Sequence, residues 1–347
     1  MLASPLPEYP ARGKPTKIIL NQRINYFVLV FREFRIRNYL MSLFKNRQTQ
    51  KKYSLHAKQS QAAYSLLLPG LSMYIPFHFI AILGVFFLSM VSWKGYSFHT
   101  MEWVGLQNYK DILTDEIFWQ TLWHNIQFFL IVVVIQTVFS LFLAILLEQS
   151  LPFSKFFRGI YFMPTVLSLV VVGLLFNFVF SPSQGLVNTL LRMMGSENPP
   201  AWLGDSKIAL FVLMGVTVWK EFGLSMFLFI AGLESIPNEL FDAAKVDGAN
   251  IWHVLRYIIL PLIKETAYVV MIITTIGCFR LFDLVWVMTK GGPFFATEVL
   301  VTRMYTQSFR YGKIGYGSAI AVVLFLITFM ISAIQFFIRT RGEKVEY

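Results

Sequence analysis

At 347 residues, 56% hydrophobic and only 14% charged, the chain is too poor in charge to clothe a water-facing surface, for which roughly a quarter charged is usual. Its 17% aromatic content excludes a disordered chain. The one cysteine, Cys278, excludes a disulfide framework and any multi-cysteine zinc or iron–sulfur site. A polytopic membrane protein remains.

The first element is a basic arm. Residues 1–65 carry twelve Lys and Arg against Glu8 and Glu33, which is +10 of the formal +11. The bases precede the first apolar window, where a positive-inside bias accounts for them better than nucleic acid does. Ile24 to Phe31 is apolar but too short to span. With Arg32, Arg35 and Arg37 behind it, this stretch suits an amphipathic helix on the membrane surface. No small-residue cleavage site follows it, so it does not have the order of a signal peptide.

Six windows approach the roughly 20 apolar residues that a span needs. They are Leu66 to Val91, Phe118 to Leu147, Gly159 towards Pro182, Ile208 to Leu233, Thr266 to Thr289 and Ile314 to Ile338. The fourth contains Lys220 and Glu221, and the fifth Arg280 and Asp283. An all-α membrane protein of six transmembrane helices is expected, with both termini cytoplasmic on the side of the basic arm. The acidic loop from Lys94 to Glu116 suits the outside. The loop from Lys290 to Lys313 carries four bases against Glu298 and breaks the trend. No tandem repeat or low-complexity tract is present.

The longest cytoplasmic connection, 234–265, reads as a helical hairpin. Pro237 fits a first helical turn, Asn238 to Val246 are good helix formers, and Gly248 supplies a stop at positive φ. Asn250 caps a second helix through Leu260, and Pro261 marks entry to the fifth span. Ala243 and Ala244 give a smooth face that another protein surface can approach closely.

This loop resembles the EAA signature of permease subunits of binding-protein-dependent ABC importers: Glu-Ala-Ala, three residues, Gly, nine residues, Ile, one residue, Leu-Pro. Here it stands as Asp242-Ala243-Ala244, Gly248, Ile258 and Leu260-Pro261, with every spacing kept and Asp in place of Glu. Ile236-Pro237, Asp247-Gly248-Ala249, Gly291-Gly292-Pro293, Tyr305 to Phe309 and Gly315-Tyr316-Gly317 resemble the carbohydrate, maltose-type branch. The resemblance covers about residues 60–340 and leaves the arm outside it.

The resemblance implies a type I importer permease in a bacterial cytoplasmic (inner) membrane, with domains 1–65 (arm), 66–340 (permease) and 341–347 (tail). It implies that the 237–261 loop is a coupling helix docking on a separate ATPase, with Glu239, Asp242, Ala243, Ala244, Asp247, Gly248, Ile258, Leu260 and Pro261 at the contact. The implied partners are a second homologous permease in a heterodimer, two ATPase copies, an extracytoplasmic sugar-binding protein and the lipid membrane, with no nucleic acid. No Gly-x-x-x-x-Gly-Lys-Ser/Thr loop is present to cradle phosphates. The chain is therefore expected not to be an enzyme and to hold no cofactor, with ATP and Mg on the partner subunit.

Ionisable residues inside spans face a bundle interior or a water-filled cavity, or pair to pack helices. Arg280 and Asp283, three apart, are expected as neighbours on one helix face. By the resemblance, Thr217, Lys220, Glu221 and Leu224 in span four, and Thr274, Gly277 and Cys278 in span five, face the substrate pathway, with Arg280 beside them. Trp219, Phe222, Thr274 and Thr275 are candidates for sugar stacking and hydrogen bonds. Lys220 and Arg280 can in addition meet a carboxylate, which points to an acidic oligosaccharide such as an alginate-like uronate oligomer. His78 and His124 lack metal-ligand spacing and read as packing residues. Asn177 either lines the pathway or bonds a neighbouring helix. Gly173 and Gly223 read as points of close helix approach. An ion-coupled secondary transporter using Lys220/Glu221 and Arg280/Asp283 as a proton relay is the alternative. A membrane-embedded transferase is a further one, with Asp242, Asp247 and His253 but no His-Glu-x-x-His spacing.

Overall fold

The structure, a computed structural model, describes residues 63–148 and 153–341. The surface helix expected after Ile24, and nearly all of the basic arm, lie outside the described residues. The chain divides into two units, 1–80 and 81–347. The first contributes the start of helix α1, Ala63–Leu88. In the second, a two-stranded hairpin pairs β1 (Val91–Ser92) antiparallel with β2 (Glu102–Trp103), Val91 opposite Trp103.

The rest is helical. In order come α2 (Gln107–Thr114), α3 (Glu116–Glu148), α4 (Ser154–Val166), α5 (Leu169–Val179), α6 (Leu186–Met193) and α7 (Ala209–Glu234). They are followed by α8 (Asn238–Val246), α9 (Ile251–Leu262), α10 (Lys264–Phe279), α11 (Asp283–Met288), α12 (Leu300–Tyr305) and α13 (Ile314–Arg341). A single wider turn, Thr306–Arg310, extends α12.

Among the described residues, four helices (α1, α3, α7 and α13) are long and apolar enough to cross a membrane, and bent pairs bring the number to six at most. The third expected window is one such pair, because α4 and α5 meet at 98°. Pro164 lies inside α4, which runs on to Val166, so the turn its missing N–H and its ring disturb is the preceding one; the break itself falls at Leu167 and Ser168, which run extended. The second pair, α9 and α10, meets at 65°.

The fifth expected window is also discontinuous. Helix α10 stops at Phe279 and α11 begins at Asp283, so Arg280 and Asp283 do not share a helix face as expected. The broken backbone borders a cavity, the setting in which non-helical chain is tolerated at membrane depth.

Helix α7 is central. Some 61% of its most apolar window is buried, against 11% for α13. Without a hydrophobic drive between helices in lipid, close packing and inter-helix hydrogen bonds hold such a bundle. Phe128, Val132, Leu213, Met214, Leu284 and Val285 fill the middle. Leu143, Met226, Phe229, Leu233, Ile259 and Ile263 fill the end that carries the 234–265 loop. Ile112, Phe118, Leu300 and Ile320 fill the opposite end. Ser140 Oγ donates to the Phe222 carbonyl at 3.0 Å, and Asn177 Nδ2 to the Val287 carbonyl at 3.0 Å. Asn177 thus takes the second of its two expected roles and ties α5 to α11.

Candidate functional site

Helices α3, α7 and α10 and the break after α10 enclose a cavity of about 420 Å³, within the roughly 300–1,000 Å³ usual for small-molecule sites. Thr217, Glu221 and Leu224 of α7 line it, as do Thr274, Gly277 and Cys278 of α10 and Arg280 at the break. Positions three and four apart share a helix face, so the two helices present these residues together. Lys220 is the exception among the eight expected residues. It is turned inward, its side chain is 10% exposed, and its Nζ donates to Glu221 Oε1 at 2.7 Å.

Of the expected sugar-stacking groups, Phe222 and Thr275 are buried away from the cavity. Phe222 belongs to the packing at the loop end of the bundle. The Thr275 hydroxyl donates to the Met271 carbonyl at 2.7 Å and accepts from Gln335 at 2.9 Å. Trp219 faces a separate apolar groove with Phe176, Phe180 and Trp202. Its ring meets Phe176 edge-on at 5.1 Å.

Residues that sequence reasoning passed over also line the cavity, Gln136 of α3 and Ser225 of α7, and so does Asp283, which the sequence marked as an ionisable residue inside a span. Gln136 sits in a charge-free window where only ionisable groups had drawn notice. An amide in the middle of an apolar span was the available signal, since such groups seek partners across helices. His124, as its bland reading expected, places Nδ1 3.0 Å from the Glu298 carbonyl.

The 234–265 loop is a helix, a glycine turn and a second helix. Pro237 stands one residue earlier than expected, at the N-cap of α8. Gly248 has φ +70, and Asn250 Oδ1 accepts from the His253 backbone N–H at 2.9 Å to cap α9. Glu239, Asp242, Ala243 and Asp247 are exposed, while Ala244 is buried. Asp242 pairs with Lys245 at 3.0 Å on the open face of α8. Ile258 is half-buried against the bundle, and Leu260 and Pro261 are exposed. Val246, Ile251, Trp252 and Tyr257 stand at 67% exposure or more. The hairpin therefore carries an apolar surface fringed by charges of both signs, Glu239, Asp242 and Asp247 beside Lys245 and Arg256.

Its root is tied by Arg158 of α4, which bridges Glu148 of α3 at 2.8 Å and Glu234 of α7 at 3.0 Å. Replacing Gly248 by Val is expected to cost about 1–2 kcal/mol through backbone strain alone, because open space surrounds the would-be Cβ. Hydrogen exchange at the Asn238–Leu262 amides should quicken; unchanged protection would remove the glycine from the account of the turn.

At the other end of the bundle, Asp115, Glu298, Arg303 and Tyr316 form a buried polar cluster. Arg303 Nη2 donates to Asp115 Oδ2 at 2.9 Å and Tyr316 Oη donates to the same oxygen at 2.6 Å. Glu298 Oε2 lies 3.7 Å from Arg303 Nη1. Burial pushes the Glu298 carboxyl up to about 7. Burial alone would raise Asp115 too, but hydrogen bonds from Tyr316 and Arg303 more than offset it and hold that carboxyl below its usual range.

Residues 136–342 match the family described as "Binding-protein-dependent transport system inner membrane component". The Probable ABC transporter permease protein YurN of Bacillus subtilis is 36% identical over 285 residues, covering 81% of this chain and 97% of its own. The Trehalose/maltose transport system permease protein MalF of Thermococcus litoralis is 30% identical over 274 residues, covering 79% and 92%. Among solved structures, a bacterial ABC transporter involved in the import of the acidic polysaccharide alginate superposes with a TM-score of 0.73. It is 21% identical and covers 83% of this chain and 98% of its own, and it shares the fold. The family match takes in the cavity, the 234–265 hairpin and the helices that flank it, and the chain belongs to the inner-membrane components of binding-protein-dependent transport systems.

Proposed function

We propose that this chain is a membrane-spanning permease subunit of an ATP-driven importer that moves an oligosaccharide delivered by an extracytoplasmic binding protein. One observation carries the reading. Two of the helices that line the cavity, α7 and α10, are the two that the 234–265 hairpin joins, so a push on the hairpin moves cavity walls. In this reading an ATPase subunit, which binds ATP and Mg, grips the exposed apolar face of the hairpin. Two ATPase copies and a second, homologous permease complete the complex. Six spans, with α4–α5 and the α9–α10 pair each counted once, put both termini and the hairpin on the cytoplasmic side of a bacterial inner membrane. The trehalose/maltose relative supports a carbohydrate cargo.

An acidic cargo rests on Arg280 rather than on Lys220. Arg280 lines the cavity and has no ion pair among the described residues, whereas Lys220 is engaged by Glu221. Uptake into proteoliposomes holding the full importer tests both levels. ATP-dependent uptake of a trisaccharide is expected, with Arg280→Gln raising KM for a uronate trisaccharide about tenfold and leaving the neutral one unchanged. Lys220→Gln should lower stability more than it alters selectivity. A uronate KM left unchanged by Arg280→Gln would overturn the acidic cargo. Uptake driven by a proton gradient without the ATPase would overturn the ATP-driven reading in favour of a secondary transporter.

A further inference from the structure

Hydroxyls in and beside the cavity behave in two ways. Thr217 donates to the Leu213 carbonyl at 2.9 Å and Thr275 to the Met271 carbonyl at 2.7 Å, so each spends its proton on its own helix. Ser225 and Thr274 do not. Each accepts from Gln136 Nε2, at 2.8 and 3.3 Å, and neither hydroxyl proton has a protein acceptor among the described residues. A third acceptor, the Glu221 backbone carbonyl, stands 3.5 Å from Nε2, beyond the usual range of a hydrogen bond. A carbonyl oxygen only accepts, so it favours the amide nitrogen over the oxygen on this side, while the two N–H protons go to Ser225 and Thr274. Gln136 is itself 3% exposed, and its Oε1 has no hydrogen-bond partner. A buried side chain that leaves its own oxygen unpaired while ordering two neighbours is costly, and it persists where the surroundings impose it.

We infer that Gln136 is a positioning residue that sets the polarity of the cavity, turning the Ser225 and Thr274 hydroxyls into a pair of donors for adjacent acceptor oxygens on the cargo. The inference rests on the cavity being the substrate pathway. Thr275 accepts from Gln335 and still donates to its own helix, but in the rotamers in which Ser225 and Thr274 meet Gln136 neither hydroxyl reaches a helix carbonyl, so each O–H proton is left for the cavity. The matching ligand chemistry is a pair of neighbouring oxygens that accept, such as the ring and glycosidic oxygens of a sugar or the two oxygens of a uronate. Gln136 lies on α3, outside the two helices joined by the hairpin, so its contact with both can hold the donor pair in register.

The test uses the complete importer in proteoliposomes, with a neutral trisaccharide and its uronate counterpart as probes. Gln136→Met removes the two donors at similar volume and lets both hydroxyls turn back to their own helices. It is expected to raise KM for the preferred probe about tenfold while kcat stays within about twofold. Gln136→Glu is expected to raise KM further, because its carboxylate accepts both hydroxyl protons and reverses the donor pair. Ser225→Ala should raise KM in the wild-type background but add little in Gln136→Met, since the two act as one unit. Should Gln136→Met fail to assemble, Gln136→Asn, which keeps the amide but withdraws it by one methylene, carries the same KM test. An unchanged KM in the Gln136 variants alongside a raised KM in Ser225→Ala overturns the positioning role and leaves the importer reading standing. So does a loss confined to kcat. If the wild-type importer takes up neither probe, the pathway reading itself falls, and this inference with it.

Discussion

Replacing Arg303 by Met is expected to cost the protein about 3–5 kcal/mol, the range for removing one partner of a buried ionic cluster. Arg303 is 6% exposed and stands between two carboxylates, Asp115 at 19% and Glu298 at 5%. Without the guanidinium both would remain in a low-dielectric site, with only the Tyr316 hydroxyl to offset Asp115. The cluster also joins distant parts of the chain: the entry to α3, the turn before α12, and α13. The His124 and Asn125 side chains reach the same turn through the Glu298 carbonyl at 3.0 Å and the Leu300 N–H at 2.7 Å. Thermal unfolding in detergent should show the loss. A shift in Tm no larger than that of an exposed substitution such as Lys94→Met would sink the claim.

The same cluster gives a pH dependence with a definite sign. Unfolded Glu298 loses its proton near 4.5, whereas the folded carboxyl, raised by burial, keeps it to about 7. Between those values the native state holds more protons than the unfolded one, so stability declines as pH rises through the window. The decline attributable to Glu298 is of order 3 kcal/mol. Glu298→Gln should flatten the Tm profile between pH 5 and 8 while costing little at pH 5, where the wild-type carboxyl is already protonated. A parallel profile would show that another group carries the dependence.

Much of this was legible in the sequence, for identifiable reasons. The hairpin was read with its cap, stop and boundaries because Pro237, Gly248 and Asn250 act locally, through φ preferences and a side-chain cap that need no tertiary information. The residues of the cavity walls came from the resemblance to the maltose-type branch, and helical spacing agreed with them. The breaks were read less well. The bend in the third window was missed, because hydropathy counts apolar residues and says nothing of the direction of the backbone. The stop after Phe279 carries no proline or glycine signal at its last residue, and only the bundle shows that Arg280 opens onto a cavity. Lys220 and Gln136 illustrate the same limit from opposite sides. Composition singled out the lysine, which an adjacent carboxylate then engages, and overlooked the neutral amide on α3 that bonds to two further helices.

Gly223→Val is expected to be strongly damaging to the packing of α4 on α7. A Cβ at this position would overlap the Tyr161 carbonyl oxygen, and would lie 2.8 Å from Thr165 Oγ1 and 3.0 Å from Phe162 Cα. Two of these three are backbone atoms, which cannot swing aside as a side-chain tip can. Helices α4 and α7 would have to separate, breaking the Thr165 Oγ1 bond to the Lys220 carbonyl at 3.2 Å and loosening the Phe162–Phe227 contact at 4.9 Å. Overpacking costs typically 1–3 kcal/mol and more where the neighbours are rigid, so about 3 kcal/mol or more is expected for valine and somewhat less for alanine. Gly215 provides the control on the same helix, because nothing lies within 4 Å of its would-be Cβ. There Gly→Ala removes only glycine's helix penalty and should be neutral or stabilising by up to about 1 kcal/mol. The two alanine variants, purified in the same detergent, should therefore shift Tm in opposite directions. Equal shifts would mean that α4 and α7 are not in backbone contact at Gly223. Because Gly223 lies between Glu221 and Leu224 on the cavity-lining helix, the same variant should also lose transport, and a stable Gly223→Val permease with normal uptake would contradict the helix packing from which the cavity is built.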